Sequence, residues 1–139
     1  MRRVLYDTNV LLDVLPERKP FYASSGLALS RAGGRAMQGY VSAHAIPTIV
    51  YTADRSMPRR EARRRTELLC ANLQIAAVTD QIIRKAFISP ISDFEDAITH
   101  AAAEASHSDL IITRNVGDFV KGTIRAVLPD LFLAISRKS

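Results

Sequence analysis

The chain has 139 residues, enough for one domain with a substantial buried core and too short for two ordinary domains. Hydrophobic residues make up 47% of the sequence and charged residues 24%, a balance that excludes a disordered or fibrous protein. Neither a membrane-spanning segment nor a cleaved signal peptide is indicated. The single cysteine, Cys70, cannot form an internal disulfide, so we expect a cytoplasmic protein. From its length we expect a single domain over residues 1–139.

The net charge of +5 is concentrated in one segment. Residues 55–65 contain six arginines and one glutamate, whereas the rest of the chain holds 13 basic and 13 acidic residues. A compact basic patch is typical of a surface that binds a polyanion. A solvated helix face without a binding role accounts for the same run, so both interpretations stay open.

Short strands and helices alternate along the chain. Hydrophobic patterning predicts strands over residues 3–6, 38–42, 73–78, 109–113 and 124–128. It predicts helices over residues 10–15, 21–32, 43–52, 58–72, 80–87 and 93–105, and a terminal helix that opens at Pro129-Asp130. This order is typical of an α/β domain around a mostly parallel sheet.

Local signals mark several helix ends. Pro16 and Pro20 are predicted to close the first helix, and Pro58 suits the first turn of a later one. Thr79 is expected to cap the helix over 80–87. The segment 92–95, Ser-Asp-Phe-Glu, has the spacing of a capping box, which predicts Ser92 as the N-cap.

Carboxylates follow these elements from three separate regions of the chain. Asp7 ends the first strand, Asp93 and Asp96 begin a helix, and Asp118 lies just past the strand over 109–113. Ligands of parallel sheets bind beyond the carboxyl ends of the strands, so we expect these acids at one edge. Clustered carboxylates without basic partners favour Mg²⁺ or Mn²⁺, which suggests a metal-dependent phosphodiesterase.

Two other classes of α/β protein that act on phosphate groups need residues that this chain lacks. A response-regulator phosphoacceptor needs an acid pair after the first strand and a late lysine, but Asp7 has no acidic neighbour and the strand over 124–128 has no lysine at its end. A haloacid-dehalogenase-like phosphatase needs Asp-x-Asp, whereas the segment 7–9 is Asp-Thr-Asn. Both classes are disfavoured.

Three motifs together make the chain resemble the PIN-domain family, most closely the small bacterial and archaeal branch that includes VapC-like toxins. The motifs are Val-Leu-Tyr-Asp-Thr-Asn over 4–9, Asp-Phe-Glu-Asp-Ala-Ile over 93–98 and Ile-Ile-Thr-Arg-Asn-Val-Gly-Asp-Phe over 111–119. The resemblance implies a three-layer α/β/α sandwich with a mostly parallel sheet. It also implies Mg²⁺- or Mn²⁺-dependent endoribonuclease activity that leaves a 5′-phosphate, a cognate antitoxin and a homodimer.

The resemblance implies that Asp7, Asp96 and Asp118 are catalytic residues that hold the metal. Asn115 stands where many members carry the last aspartate, so either Asn115 or Asp118 contacts the ion or its water. Asp93 is a weaker candidate ligand, as is its neighbour Glu95. Each aspartate has a structural alternative: an N-cap for Asp7 and Asp93, a first-turn acid for Asp96 and a surface acid for Asp118. Asn115 is alternatively a turn residue.

Substrate contacts are expected around the same motifs and on the basic run. Those predicted near the acids are Thr8, Asn9, Thr113 and Arg114, because hydroxyls orient ligands and guanidinium matches phosphate. On the basic run we expect Arg59, Arg60, Arg63 and Arg64 to bind the RNA backbone, and docking of an acidic antitoxin segment is the alternative.

The sequence departs from the family pattern at Thr48, where members usually carry a glutamate. A threonine supplies no charge, so metal affinity should fall, and a degenerate PIN domain that binds RNA or a protein without cleaving is a second hypothesis. Asp13 is interpreted as a solvated helix acid and His100 as a partly buried helical histidine. No role is assigned to His44 or His107.

Overall fold

Five parallel strands form the centre of the computed structural model, which describes residues 2–15, 21–34 and 36–136. They are β1 (Arg2–Tyr6), β2 (Met37–Ser42), β3 (Leu73–Ala76), β4 (Leu110–Ile112) and β5 (Arg125–Val127). The sheet order is β3-β2-β1-β4-β5, so β1 is the central strand. It pairs with β2 on one side and with β4, from the far end of the chain, on the other.

Seven α-helices and two 3₁₀ turns lie between and after the strands in the described ranges. The helices are α1 (Thr8–Val14), α2 (Tyr22–Ser30), α3 (Ala45–Asp54), α4 (Arg59–Leu69), α5 (Asp80–Phe87), α6 (Phe94–Ala105) and α7 (Pro129–Ser136). The 3₁₀ turns span Arg31–Gly33 and Val116–Phe119.

The alternation of side chains along β1 divides the core into two layers. Val4 and Tyr6 pack into one cluster with residues of α1, α2, α3, α4 and α7. Leu5 points to the other face and packs with residues of α5 and α6 and with Phe119. The predicted three-layer α/β/α sandwich is therefore confirmed.

The structure contains the predicted strands and helices, with shifts of a few residues at most ends, and corrects some local details. The helix predicted over 21–32 ends at Ser30 and continues as a 3₁₀ turn. Pro58 is the N-cap of α4 rather than a first-turn residue, because its backbone is extended. The predicted roles of Pro16 and Pro20 lie outside the described residues.

The capping box predicted from Ser92 is wrong by one position. Asp93 is the N-cap of α6, and its Oδ1 accepts a hydrogen bond of 3.0 Å from the backbone N–H of Asp96. The carboxylate reaches the third residue of the helix, which is the usual N-cap geometry. By contrast, Thr79 caps α5 as predicted, since its Oγ1 accepts from the N–H of Ile82.

None of the helices in the described ranges is both long and apolar enough to cross a membrane.

Candidate active site

Asp7 lies at the carboxyl end of the central strand, where β1 passes into α1. Its Oδ1 accepts a hydrogen bond of 2.8 Å from the N–H of Thr8, so the capping role is confirmed. Its Oδ2 accepts a hydrogen bond of 2.9 Å from Oγ1 of Thr113. Burial raises the pKa of Asp7, although these two hydrogen bonds oppose the shift. The buried carboxylate is thus held in one orientation.

Thr113 and Asn9 connect the loop after β4 to the start of α1. The amide nitrogen of Asn9 donates to Oγ1 of Thr113 at 3.3 Å, and its Oδ1 accepts from the N–H of Arg114 at 3.2 Å. Thr113 Oγ1 also accepts from the N–H of Asn115. These side chains, predicted as substrate contacts, orient one another and Asp7, while substrate contact by Thr8, Asn9 and Thr113 stays a prediction.

Asp96 and Asp118 lie within electrostatic reach of Asp7. Partial burial raises the pKa of Asp96 to about 7, and the negative charges of Asp7, Asp93, Asp118 and Glu95 add to the shift. The charge of Asp118 also raises the pKa of Asp7. The structure therefore places the three aspartates that the sequence predicts as catalytic at one edge of the sheet: Asp7 follows β1, Asp96 is in the first turn of α6 and Asp118 is in the turn after β4.

The weaker candidates lie at the rim of this cluster. Asp93 is exposed, and one of its oxygens caps α6, so its structural alternative is confirmed. Asn115 is exposed and precedes the 3₁₀ turn that carries Asp118. The backbone carbonyl of Glu95 accepts from Oγ1 of Thr99. Metal ligation by Asp93 or Asn115 stays a prediction.

The donor chemistry of the cluster fits a hard divalent cation. Carboxylate oxygens are the ligands that Mg²⁺ and Mn²⁺ prefer, and a cation would relieve the repulsion that adds to burial in raising the pKa of Asp96. The separations are wider than in a formed site: within the described ranges, no three Asp, Glu, His or Cys side chains are close enough to share one ion. The acids fit the ion by charge and oxygen chemistry and would have to approach one another to bind it.

Arg114, predicted to contact phosphate, is anchored behind the site. Its Nε donates to Oδ2 of Asp13 at 2.8 Å, and its guanidinium carbon lies 4.2 Å from the ring centroid of Phe21. The interpretation of Asp13 as a solvated acid is wrong, because that residue is 0% exposed and also accepts from Oγ of Ser25. Arg114 balances this buried charge, and phosphate contact through the rest of its guanidinium stays a prediction.

His44 is a candidate that sequence reasoning missed. It follows the end of β2, next to the central strand, and its Nδ1 lies 2.6 Å from Oγ of Ser42. Its Nε2 lies 3.3 Å from the carbonyl oxygen of Glu95 on α6. Burial lowers the pKa of His44, whereas its interaction with Asp7 opposes that shift. The signal in the sequence was its position, two residues past the strand that flanks Asp7.

Thr48 and His100 lie on the helices that flank the sheet. Thr48 is half-buried in the first turn of α3, the helix that follows His44. His100 is buried more completely than expected, and its Nε2 accepts from the N–H of Thr123 at 2.9 Å and that of Ile124 at 3.2 Å. His100 thus fixes the loop before β5.

The predicted basic run begins in the α3–α4 connection and occupies most of α4. Hydrogen bonds from Arg64 and Arg65 lower the pKa of Glu61 to about 2, and Arg59 pairs with Asp54. The remaining arginines make no ion pair with any described residue; they are Arg55, Arg60 and Arg63. The described part of the chain shows no ion pair between this run and the clustered aspartates.

The sequence model of the PIN domain matches residues 3–117, a range that contains Asp7, Asp96 and the Thr-Arg-Asn motif. This chain belongs to the PIN domain family. No curated protein matches its sequence. The PIN assignment agrees with the parallel sheet, and Asp118 lies one residue beyond the matched range.

Solved structures show that the fold of this PIN domain is shared with toxins. A toxin-antitoxin complex from Klebsiella pneumoniae is 23% identical with a TM-score of 0.70, over 91% of this chain and 97% of that one. DNA-bound VapBC from Salmonella typhimurium is 15% identical with a TM-score of 0.71, over 93% and 99%. The sarcin-ricin-loop-cleaving toxin VapC20 of Mycobacterium tuberculosis is 14% identical with a TM-score of 0.62, over 78% and 86%.

Proposed function

We propose that this PIN domain is a Mg²⁺- or Mn²⁺-dependent endoribonuclease and the toxin component of a toxin-antitoxin pair. The observation that carries the proposal is the position of Asp7, Asp96 and Asp118 at the carboxyl edge of the sheet, where burial, together with the charges of Asp7 and Asp118, raises the pKa of Asp96. Such a cluster is costly to the fold unless a cation neutralises it. The similarity in fold to VapC20, a toxin that cleaves the sarcin-ricin loop, supports RNA as the substrate.

The metal would be held by Asp7, Asp96 and Asp118. When bound, it would supply activation of water and neutralisation of charge on the phosphoryl group. Thr113 and the N–H of Thr8 fix the carboxylate of Asp7 in advance of binding. Without a bound cation the pKa of Asp96 is raised to about 7, so this carboxyl group is partly protonated near neutral pH and would lose its proton on binding the metal.

The RNA backbone would contact two sets of positive groups, Arg114 and the arginines of α4. Arg114 is partly exposed, although Asp13 occupies its Nε edge. On α4, Arg60 and Arg63 are exposed and make no ion pair with a described residue. Arg59 and Arg64 form exposed pairs, which are weak enough to exchange for phosphate. Binding through these arginines would weaken steeply with salt.

An antitoxin and a second copy of the chain complete the proposal. Several similar folds come from toxin-antitoxin complexes, including VapBC-1 from nontypeable Haemophilus influenzae. An acidic antitoxin segment would complement the arginines of α4 and compete with RNA for them. A homodimer is part of the same hypothesis.

The test is cleavage of a randomised pool of single-stranded RNA by the full chain. With Mg²⁺ or Mn²⁺ we expect products that carry a 5′-phosphate, and with EDTA no products. Asp7→Asn should lower the rate at least about a hundredfold, because a neutral amide binds a divalent cation poorly. Asp80→Asn is the matched control, since Asp80 is exposed on α5 and pairs with Arg84. Metal-independent cleavage, or cleavage by Asp7→Asn at the parent rate, would contradict the proposal.

A degenerate PIN domain that binds RNA or protein without cleaving is the second candidate. Its motivating observation is Thr48, half-buried on α3, in place of the usual glutamate. Thr48→Glu separates the two hypotheses. A silent parent that gains cleavage on this substitution is degenerate, whereas an active parent removes the second candidate.

A further inference from the structure

A pocket lies at the amino edge of the sheet, the edge opposite to the clustered acids. Arg2 and Met37, which begin the paired strands β1 and β2, line it together with the end of α2, the turn that follows α2 and Ser136 of α7. Its volume is about 530 Å³. Asp7 follows Arg2 by five residues of extended chain, about 16 Å at the rise of a strand. The pocket is therefore separate from the candidate active site.

The lining of this pocket carries positive charge and no acid to balance it. Arg2 and Arg31 both line it, whereas none of its described lining residues is acidic. Neither arginine forms an ion pair with a residue in the described ranges. Arg31 is exposed, so its guanidinium is available to a ligand. Two uncompensated guanidinium groups at one pocket attract an anion.

Arg2 also has an unsatisfied hydrogen-bond donor. Its Nη1 is buried and makes no hydrogen bond, whereas Nη1 of the next residue, Arg3, donates to the carbonyl oxygen of Ser106 at 3.2 Å. A buried N–H without an acceptor has lost its water and gained no partner, which costs free energy. Arg2 as a whole is only half-buried and lines the pocket, so an anion there can pair with the same delocalised guanidinium and offset this cost.

We propose that this pocket binds a phosphate monoester group or inorganic phosphate, held between Arg2 and Arg31. The N–H groups of guanidinium match phosphate oxygens in pairs. A phosphate monoester carries a charge of about −1.5 to −2 at neutral pH, which two arginines neutralise, whereas a phosphodiester carries a single charge. The pocket is also large enough for the nucleoside of a nucleotide that bears such a group. The inference concerns a second site and does not rest on the proposed ribonuclease function.

The test is a calorimetric titration of the full chain with inorganic phosphate at pH 8. EDTA keeps cations out of the candidate active site, chloride holds the ionic strength constant, and at this pH the probe is a dianion. We expect saturable binding by the parent. Arg31→Met should weaken it at least about tenfold, because it removes hydrogen bonds to a charged group. Arg31→Lys should recover part of the affinity, since it keeps the charge but not the paired donors.

Arg125→Met is the matched control. Arg125 also lies at the amino edge of the sheet, as the first residue of β5, and is exposed without an ion pair to any described residue, but it does not line this pocket. That variant should bind phosphate as the parent does.

Arg2→Met is the second test variant. It should lose phosphate binding, yet without phosphate it should melt no lower than the parent, because it also removes the unsatisfied donor and keeps an apolar stem. Thermal melting confirms that each variant is folded.

Two RNA probes identify the source of the phosphate group. A short oligouridine is compared with a 5′-phosphate and with a 5′-hydroxyl, again in EDTA so that it is not cleaved. Tighter binding of the phosphorylated form, lost in Arg31→Met, would assign the pocket to the end of an RNA. Equal binding of the two forms, with inorganic phosphate still bound by the parent, would assign it to a free phosphate compound.

Two results would overturn the inference. The first is a folded parent that shows no saturable binding of phosphate. The second is an equal loss of affinity in Arg31→Met and Arg125→Met, which would show general attraction to a basic surface. Neither result bears on the ribonuclease proposal, because that proposal fails only when metal-dependent cleavage at the opposite edge of the sheet is absent.

Discussion

Arg114 and Asp13 form an ion pair of 2.8 Å between positions 101 residues apart in the chain. The carboxylate is fully buried, whereas the guanidinium is partly exposed. We expect Arg114→Ala to lower the free energy of unfolding by about 3–5 kcal/mol, because it leaves a buried charge whose remaining partner among the described residues is Ser25. Urea denaturation followed by circular dichroism measures the change.

Asp13→Asn is the companion variant. It removes the charge and keeps an oxygen for Ser25, so we expect a smaller loss of about 1–3 kcal/mol. If Arg114→Ala costs less than Asp13→Asn, the pair does not stabilise the fold in the way the geometry indicates.

Metal binding can be measured before any substrate is known. A calorimetric titration of the parent with Mn²⁺ should saturate, and Asp7→Asn and Asp96→Asn should each weaken binding at least about tenfold. Asp80→Asn should leave it unchanged, since Asp80 is exposed and pairs with Arg84 instead. A folded parent that binds no Mn²⁺ at millimolar concentration would move the non-catalytic hypothesis to first place.

The stability of the metal-free protein should depend on the protonation of Asp96. Its pKa is about 7 in the folded chain and about 3.8 as an unperturbed group, so the folded state holds the proton more tightly. The stabilisation from this proton is complete below pH 3.8 and is lost as the pH rises through about 7. The raised pKa of Asp7 acts in the same direction.

Melting temperatures in EDTA between pH 5 and 8, a window bracketing the pKa of about 7, test this dependence. We expect the parent to melt at a lower temperature as the pH rises and Asp96→Asn to show a flatter profile. Mn²⁺ affinity should change in the opposite sense, increasing up to about tenfold per pH unit below the pKa if one proton is displaced. A parent profile as flat as that of Asp96→Asn would show that Asp96 is ionised throughout.

His44 should position α6 relative to the end of β2. His44→Ala removes the contacts of its ring with Ser42 and with the carbonyl of Glu95, so we expect a loss of stability of about 1–2 kcal/mol. Mn²⁺ affinity should fall several-fold in the same variant, because Asp96 lies in the turn that the ring contacts. His107→Asn is the control, because His107 is exposed just past α6 and its left-handed backbone conformation (φ 58°) is one that asparagine also adopts. Unchanged Mn²⁺ affinity in His44→Ala would limit its role to stability.

The fold could be predicted because its strands and helices are indicated by neighbouring residues and by the alternation of strand and helix patterns along the chain. The composition of residues 4–6 predicts a strand. The pleat of a strand then places Val4 and Tyr6 in one core layer and Leu5 in the other. The N-cap of α6 was placed one residue early, since Ser92 and Asp93 are both good capping residues and only the backbone decides between them.

Only those residues of the candidate site that lie in family motifs could be predicted from the sequence. The motifs named the three aspartates whose charges interact, but the spacing of residues in the sequence does not reveal which polar groups become partners. Asp13 looked solvated because its partner, Arg114, lies on another element. His44 had no motif, and its contact with α6 exists only in the folded chain.

The pairing of β1 with β4 sets the order in which this site can assemble during synthesis. The ribosome delivers Asp7 first, yet the hydroxyl that orients it belongs to Thr113, 106 residues later. A nascent chain that has not yet exposed β4 therefore carries one of the three acids without its orienting partner. On the proposed function, the nascent chain cannot fix its first metal ligand until synthesis has passed Thr113.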